Sequence, residues 1–256
     1  MPSVLQRRQG VGGRAIKTLI MMPYYNRPIL LKRALESILQ SHEHHPDWSL
    51  LFCDDNSPVP GAPIVLDVLQ GFHDRLTLVR NADSIEQRID QGLTIGKVAN
   101  EGLLATDAEI AVVLCDDDKL VPTYLRDLSD FYTKNQTVMY AWSKIYVVNL
   151  EVSPIHHDFV DYNSWEGAIE PKNRVDSSQV SFRISCFKDY GARYLELGHK
   201  HLDADLYSTL YEKFGPAPFT GLTAQFKGIH NYQLLYHKST LHDFYEDVKQ
   251  MGGRYF

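Results

Sequence analysis

The chain has 256 residues, of which 44% are apolar and 23% are charged. This length fits one α/β domain, and the apolar share is enough to build a buried core, which excludes a mostly disordered chain. The 26 Lys and Arg residues against 32 Asp and Glu residues give a net charge of −6, which argues against a broad basic surface for a phosphate backbone.

The N-terminus and the cysteines favour a cytoplasmic protein. Residues 1–15 carry basic residues and glycines but no apolar segment, so we expect a loose tail without a secretory signal. No apolar run approaches the ~20 residues that span a bilayer, and we expect no stable membrane insertion. The three cysteines (Cys53, Cys115 and Cys186) lie far apart, which favours reduced thiols over a disulfide framework.

From Thr18 onwards, short apolar runs alternate with helical patterns, which is typical of βαβ units and a mainly parallel sheet. The first part of the chain predicts strands over Thr18–Met22, Trp48–Cys53, Leu76–Arg80, Ile110–Cys115 and Val138–Val148. Helices are predicted over Pro28–Ser41, Ile64–Phe72, Gly92–Ala105 and Pro122–Lys134. The histidines that follow the first helix (His42, His44 and His45) are expected to be solvated.

The second part of the chain is less regular. It predicts strands over Val180–Cys186 and Leu222–Ile229, and a helix over Asp203–Phe214. Because no internal repeat or clear linker is present, we expect one domain over residues 16–256. Its N-terminal half, residues 16–148, would be of nucleotide-binding type, and residues 149–256 would complete the site.

Three polar clusters follow predicted strands directly. They are Pro23–Arg27 after the first strand, Asp54–Ser57 after the second, and Asp116–Asp118 after the strand that begins at Ile110. In an open parallel sheet, ligands bind outside the carboxyl ends of the strands, so these clusters predict a site. The alternative for any one cluster is that Asp, Asn and Pro simply end a strand.

The triple aspartate indicates a metal-assisted phosphate site. Crowded carboxylates repel one another, and a hard divalent cation that neutralises them would bridge a nucleotide diphosphate. The chain lacks a GxxxxGK[ST] loop and a GxGxxG after the first strand, which excludes a P-loop NTPase and a standard dinucleotide domain.

Five segments, in this order and spacing, resemble the family 2 glycosyltransferases of the GT-A fold. They are MMPYYNRPILLKRALESIL (Met21–Leu39), FCDDNSP (Phe52–Pro58), GKVANEGL (Gly96–Leu103), VVLCDDDKLVP (Val112–Pro122) and HLDADLYSTL (His201–Leu210). The resemblance covers Thr18 to about His237. It implies a single α/β GT-A domain, with a mainly parallel Rossmann-like sheet flanked by helices and an acceptor half over residues 149–256.

The resemblance implies that the ends of the first two strands hold the base and ribose of a nucleotide. The residues concerned are Pro23, Tyr24, Asn26, Asp54 and Asp55. It also places Asp117 near the ribose and Asp118 on a Mn²⁺ or Mg²⁺ ion at a solvated strand end, with Asp116 in support. Cys115 stands where many relatives have the first aspartate, so the division of roles among the three aspartates stays open.

In the second half, the resemblance implies a general base at the start of the helix in HLDADLYSTL. Asp203 is the expected base and Asp205 the reserve, because Leu202 replaces the glutamate of the family's E-D pair. Asp203 also suits an N-cap, and the two roles are compatible. His230 follows the last predicted strand and is a candidate further metal ligand, or else a packed or acceptor-contacting histidine.

The leading hypothesis is a metal-dependent, inverting transferase that moves a sugar from a nucleotide diphosphate sugar to a hydroxyl of a carbohydrate or other acceptor. A UDP-sugar is favoured by its frequency in the family. One alternative is a catalytically inactive nucleotide-sugar-binding protein, which the missing glutamate supports. Another is a nucleotidyltransferase, which would usually have a glycine-rich loop where PYYNRP stands. The acidic composition argues against a nucleic-acid acceptor.

Overall fold

The computed structural model describes residues 16–83, 95–149, 167–172, 174–195 and 202–229. The strands in this part of the chain are β1 (Thr18–Tyr24), β2 (Trp48–Asp54), β3 (Leu76–Arg80), β4 (Ile110–Val113), β5 (Lys119–Leu120), β6 (Tyr140–Asn149), β7 (Val180–Arg183) and β8 (Phe219–Ile229). The helices are α1 (Pro28–His42), α2 (Ala62–Val68), α3 (Gly96–Ala105), α4 (Tyr124–Lys134), α5 (Ser185–Lys188) and α6 (Leu202–Phe214).

The eight strands form one sheet in the order β3-β2-β1-β4-β7-β6-β8-β5. Four of the seven neighbouring pairs are parallel, namely β1–β2, β1–β4, β2–β3 and β6–β8. The other three are antiparallel. The prediction of a mainly parallel sheet is therefore confirmed, and the carboxyl ends of β1, β2 and β4 lie side by side at one edge.

Both faces of the sheet are covered, because the side chains of β1 alternate between two apolar cores. Leu19 and Met21 pack with residues of α3, α5 and α6 on one face. Ile20 and Met22 pack with residues of α1, α2 and α4 on the other face. Continuous apolar strands are what a sheet buried on both faces requires.

The observed elements differ from the predicted ones at several of their ends and by one additional strand. Strand β7 ends at Arg183 and a short helix follows at Ser185–Lys188, so the prediction of a strand to Cys186 was wrong at its end. Strand β5 has two residues, too few to show a hydrophobic pattern, and was not predicted. Strand β1 continues beyond the predicted end at Met22 to Tyr24, because Tyr24 still pairs with Asp54.

None of the helices in the described ranges is long and apolar enough to cross a membrane. The predicted tail, residues 1–15, lies outside those ranges.

The end of helix α1 is packed against the sheet rather than solvated. His45 is 3% exposed, and its Nε2 lies 3.4 Å from Thr18 Oγ1 at the start of β1. The His42 ring contacts Phe72, and Trp48 Nε1 donates to its Nδ1 at 3.2 Å. Of these three histidines, His44 alone is exposed, as expected. Burial lowers the pKa of His45 below its ordinary value of 6.5, because the charged imidazolium would lose its hydration.

We expect His45 to make the protein less stable in mild acid. Since its pKa is lower in the folded state, the unfolded chain binds a proton at His45 first as the pH falls through 6.5, and this favours unfolding. Urea titrations between pH 7.5 and 5 should show that the free energy of unfolding of the wild type decreases as the pH falls. This decrease should be smaller in His45→Gln. Exposed His44→Gln is the matched control and should keep the wild-type dependence; equal curves for His45→Gln and wild type would contradict the expectation.

Candidate active site

The acidic turn, Cys115–Asp118, lies where β4 ends, beside the end of β1. The Leu114 N–H donates to the Met21 carbonyl at 2.9 Å, and the Asp118 N–H donates to the Cys115 carbonyl at 3.1 Å, which closes the turn. Strand β5 begins at Lys119 and carries the chain away along β8. The short link between the two strands therefore holds all three aspartates at the carboxyl edge of the sheet.

Arg27 joins the first strand end to two of these aspartates. Its Nη1 donates to Asp116 Oδ1 at 2.9 Å and to Asp117 Oδ2 at 3.0 Å. The Tyr25 N–H donates to the other oxygen of Asp116 at 3.1 Å. Burial raises the pKa of Asp116 to about 6 although the Arg27 charge opposes the shift, so this carboxyl is largely ionised at neutral pH.

Asp118 is held from the opposite direction, by a lysine of β8. Lys227 Nζ lies 3.9 Å from Asp118 Oδ2 and 3.1 Å from Asp176 Oδ2. Asp118 is 1% exposed and Lys227 is 8% exposed. The expectation of a solvated position for Asp118 was therefore wrong: β8 covers the turn and brings a compensating charge with it.

Opposite charges fix the ionisation of this group. Burial favours the neutral form of Lys227, but the carboxylates of Asp118 and Asp176 outweigh it and hold the pKa of the ammonium well above its ordinary value. Burial likewise acts to raise the pKa of Asp176, but Lys227 and hydrogen bonds from Ser178 outweigh it and lower the pKa. Lys227 is thus a permanent cation in the interior.

The turn has the composition of a site for a hard divalent cation. One ligand atom each of Cys115, Asp117 and Asp118 lie within 4.8 Å of one another. Carboxylate oxygens suit Mg²⁺ and Mn²⁺, whereas the soft sulfur of Cys115, whose pKa burial raises well above its ordinary value, suits these hard ions less. Within the described residues, Arg27 pairs with Asp116 and Asp117, and Lys227 pairs with Asp118 and Asp176.

The loops after β1 and β2 support each other. Asn26 and Asn56 both adopt left-handed backbone conformations, with φ of 52° and 58°, which asparagine tolerates better than most residues. The Asn26 N–H donates to Ser57 Oγ at 3.1 Å. Asp54 accepts from the backbone N–H groups of Ser57 at 2.7 Å and Gly61 at 3.1 Å, one on each carboxylate oxygen.

Two of the residues expected at the nucleotide turn inward. Asp54 is 2% exposed and organises its own loop. Tyr24 is 1% exposed, stacks against Phe52 with ring centroids 5.5 Å apart, and donates to the Val59 carbonyl at 2.9 Å. Their neighbours Tyr25 and Asp55 are half-buried at the edge, where Asn81 Nδ2 donates to Asp55 Oδ1 at 3.2 Å.

A cavity of about 190 Å³ lies beside the acidic turn, on the face of the sheet that α3 covers. Most of its lining is apolar, and its polar residues are Ser177, Tyr194 and Asp203. Pro23 contributes the end of β1 to its wall. The cavity is therefore bounded by residues from the first and the second half of the chain together.

Helix α3 positions one wall of this cavity through the asparagine of GKVANEGL. Asn100 is buried, and its amide group pairs with the backbone of Tyr194 in both directions. Asn100 Nδ2 donates to the Tyr194 carbonyl at 3.0 Å, and the Tyr194 N–H donates to Asn100 Oδ1 at 2.9 Å. The Asn100 side chain thus holds the Tyr194 backbone by donating to its carbonyl and accepting from its N–H, as a neighbouring strand would.

The two candidate bases lie differently in the first turn of α6. Asp203 lines the cavity, and its charge adds to the burial that raises the pKa values of Tyr194 and Tyr207. Asp205 is exposed and does not line the cavity. The sequence named both residues as candidate bases, and the fold shows that, of the two, Asp203 lines the cavity.

His230 lies outside the described residues. Sequence reasoning missed Arg27, Lys227 and Asp176. Arg27 stands inside the PYYNRP segment, so its place beside an acidic strand end was a usable signal. Lys227 and Asp176 carry no local signal, because their pairing depends on how β8 and the turn before β7 fold onto β4.

A doubly covered, mainly parallel sheet with an acidic turn at its carboxyl edge defines an α/β protein of the GT-A type. The family model described as glycosyl transferase family 2 matches residues 19–196. The chain belongs to this family. A comparison with curated protein sequences gives no match.

Solved structures of TarS from S. aureus are similar to this chain. One matches over 86% of this chain and 38% of TarS, with a TM-score of 0.60 and 14% identity. The structure of TarS 1-349 in complex with UDP-GlcNAc matches over 84% of this chain and 59% of that chain, with a TM-score of 0.61 and 15% identity. At this identity the likeness shows the fold, and this chain spans less than two thirds of either TarS chain.

We expect Asp54 and Asp55 to differ in what they support. Asp54→Ala leaves two buried backbone donors without their acceptor, so it should lower the free energy of unfolding by about 1–3 kcal/mol. Asp55→Ala is the matched control, since half-buried Asp55 should cost less than about 1 kcal/mol. Urea unfolding of both variants measures the difference, and equal losses would contradict the assignment of Asp54 to the loop.

Proposed function

We propose that this chain is a metal-dependent, inverting glycosyltransferase that moves a sugar from a UDP-sugar to a hydroxyl acceptor. The observation that carries the proposal is the acidic turn at the carboxyl edge, whose ligand atoms could hold a metal ion, next to a cavity that Asp203 lines. Family membership supports the reaction class. The complex of the similarly folded TarS 1-349 with UDP-GlcNAc supports the donor.

The nucleoside would lie over the ends of β1 and β2. In this proposal Pro23, Asn26 and Asp55 face the base and ribose, because they lie at the edge and are not fully buried. Tyr24 and Asp54 act beneath them, by fixing the loops from which the other three project. Asp117 stays the candidate for the ribose, on the side where Arg27 holds it.

The diphosphate would lie against the acidic turn. Asp118 would hold a Mn²⁺ or Mg²⁺ ion there, with Asp116 as a supporting carboxylate that Arg27 positions. When bound, such an ion supplies positive charge that stabilises the departing diphosphate. His230 stays a prediction as a further ligand.

Asp203 would take the proton from the acceptor hydroxyl. A carboxylate at the cavity wall can accept this proton as the hydroxyl attacks the anomeric carbon from the face opposite the diphosphate, which inverts the configuration. Asp205 stays the reserve, although its exposed position makes it the poorer candidate. In this reading, residues 16–148 bind the donor and residues 149–256 the acceptor, and the cytoplasmic location expected from the sequence belongs to the same proposal.

A second candidate function is a nucleotide-sugar-binding protein without turnover. The observation that favours it is Leu202, which stands where the family has the glutamate of the E-D pair. Such a protein would use the same donor site but would neither transfer nor hydrolyse the sugar.

The proposed base gives the sharpest test of the function. With UDP-sugars and Mn²⁺, the wild type should release UDP, slowly by hydrolysis and faster with a suitable acceptor. Asp203→Asn keeps the shape of the side chain but does not accept the proton, so kcat should fall by at least ~10²-fold with donor affinity retained. UDP release and calorimetric UDP binding measure the two effects.

The matched control is Asp205→Asn, on the exposed side of the same turn, which should keep kcat within about threefold of wild type. Loss of activity in Asp205→Asn with near-normal Asp203→Asn would move the base to Asp205. Tight UDP binding by a wild type that never turns over with varied acceptors would favour the binding protein instead.

The metal role of Asp118 has its own test. Asp118→Asn keeps the volume of the side chain and removes its charge, so Mn²⁺ affinity should fall by at least about tenfold, as followed by calorimetry. Asp117→Asn should chiefly weaken UDP affinity. If Asp117→Asn abolishes Mn²⁺ binding and Asp118→Asn does not, the roles of the two neighbours are reversed.

A further inference from the structure

We propose that Lys227 is a built-in counter-cation that keeps the divalent-cation affinity of the acidic turn low, so that the cation loads together with the diphosphate of the donor. The inference rests on the proposed function, because it assumes that Asp118 is a metal ligand. It adds a residue of β8, the last strand in the described part of the chain, to the machinery at the end of β4.

The position of Lys227 is the first support. Its ammonium lies 3.1 Å from Asp176 Oδ2 and 3.9 Å from Asp118 Oδ2, so two carboxylates share one cation. Side-chain exposure is 10% for Lys227 and 0% for Asp118. At such low exposure, water and salt screen the interaction between these charges much less than at the surface.

The rigidity of β8 is the second support. Gln225 lies on the same face of β8 as Lys227, two residues earlier. Its amide nitrogen donates to the Val113 carbonyl at the end of β4, and to the Ser178 carbonyl at 3.2 Å. The strand that carries the lysine is thereby fastened to both sides of the site, so the ammonium is held beside Asp118 rather than reaching it from a loop.

The charge balance gives the consequence. A divalent cation bound by Asp118 shares that carboxylate with the ammonium, and the two positive charges repel each other at short range. The bare site therefore binds the cation weakly. A nucleotide diphosphate that coordinates the cation adds negative charge beside the turn and offsets the repulsion, so cation and diphosphate raise each other's affinity.

Lys227→Met tests this directly, because methionine keeps the apolar stem and removes the charge. Calorimetric titration of nucleotide-free protein with Mn²⁺ should show binding at least about tenfold tighter than in the wild type. Lys227→Arg is the matched control and should stay within about threefold of the wild type, because it keeps the charge. Unchanged or weaker Mn²⁺ binding by Lys227→Met would overturn the proposal.

The coupling between cation and nucleotide is the second readout. UDP should raise the Mn²⁺ affinity of the wild type by a larger factor than that of Lys227→Met, and an equal factor in both proteins would count against the proposal. If Lys227→Met is too unstable to titrate, Mn²⁺ should raise its melting temperature more than it raises that of the wild type, since the ion replaces the missing charge. A variant that stays unfolded at high Mn²⁺ concentration would also overturn the proposal.

Failure of the metal assignment looks different from failure of this inference. If Asp118→Asn binds Mn²⁺ like the wild type, Asp118 is no ligand, and both the assignment and the inference fall. If Asp118→Asn loses Mn²⁺ affinity while the Mn²⁺ affinity of Lys227→Met equals that of the wild type, Asp118 remains the proposed ligand. Only the proposed role of Lys227 is then wrong.

Discussion

The structure of the site depends on burying an acidic turn without leaving its charge uncompensated. Carboxylates removed from water are tolerated only where cations and hydrogen bonds replace the lost hydration. Here the compensation comes from two distant parts of the chain, Arg27 before α1 and Lys227 on β8. The turn after β4 therefore ties the first loop of the fold to its last described strand, and the architecture of the site follows from charge balance as much as from apolar packing.

At the carboxyl edge of the sheet, half-buried polar residues alternate with buried residues that support them. Successive side chains at a strand end point in opposite directions, so Tyr24 and Asp54 enter the interior while Tyr25 and Asp55 stay at the edge. The hydrogen bonds that Asp54 accepts from its own loop then fix the path of the chain on which Asp55 stands. A motif of adjacent polar residues thus contains members with structural roles and members at the edge, to which the proposed function assigns the ligand contacts.

The sequence predicted those features that local patterns encode. The apolar runs of β1, β2 and β4 and the polar clusters after them located the carboxyl edge, because buried parallel strands leave a signal in a few residues. It did not predict the burial of Asp118 or the pairing of Lys227 with Asp176, because both depend on contacts between residues far apart in the chain. Nor did it distinguish Asp203 from Asp205, since only the packing of α6 shows which of them reaches the cavity.

The segment that begins at Asp176 links the charged turn to the cavity. One carboxylate oxygen of Asp176 pairs with Lys227, and the other accepts from the Ser178 N–H at 3.0 Å, which caps the short helical turn Ser177–Gln179. Ser177, the first residue of that turn, lines the cavity beside Asp203. Asp176 is therefore bonded both to the cation that pairs with the turn and to the short segment whose Ser177 lines the cavity, so one side chain joins the two parts of the candidate site.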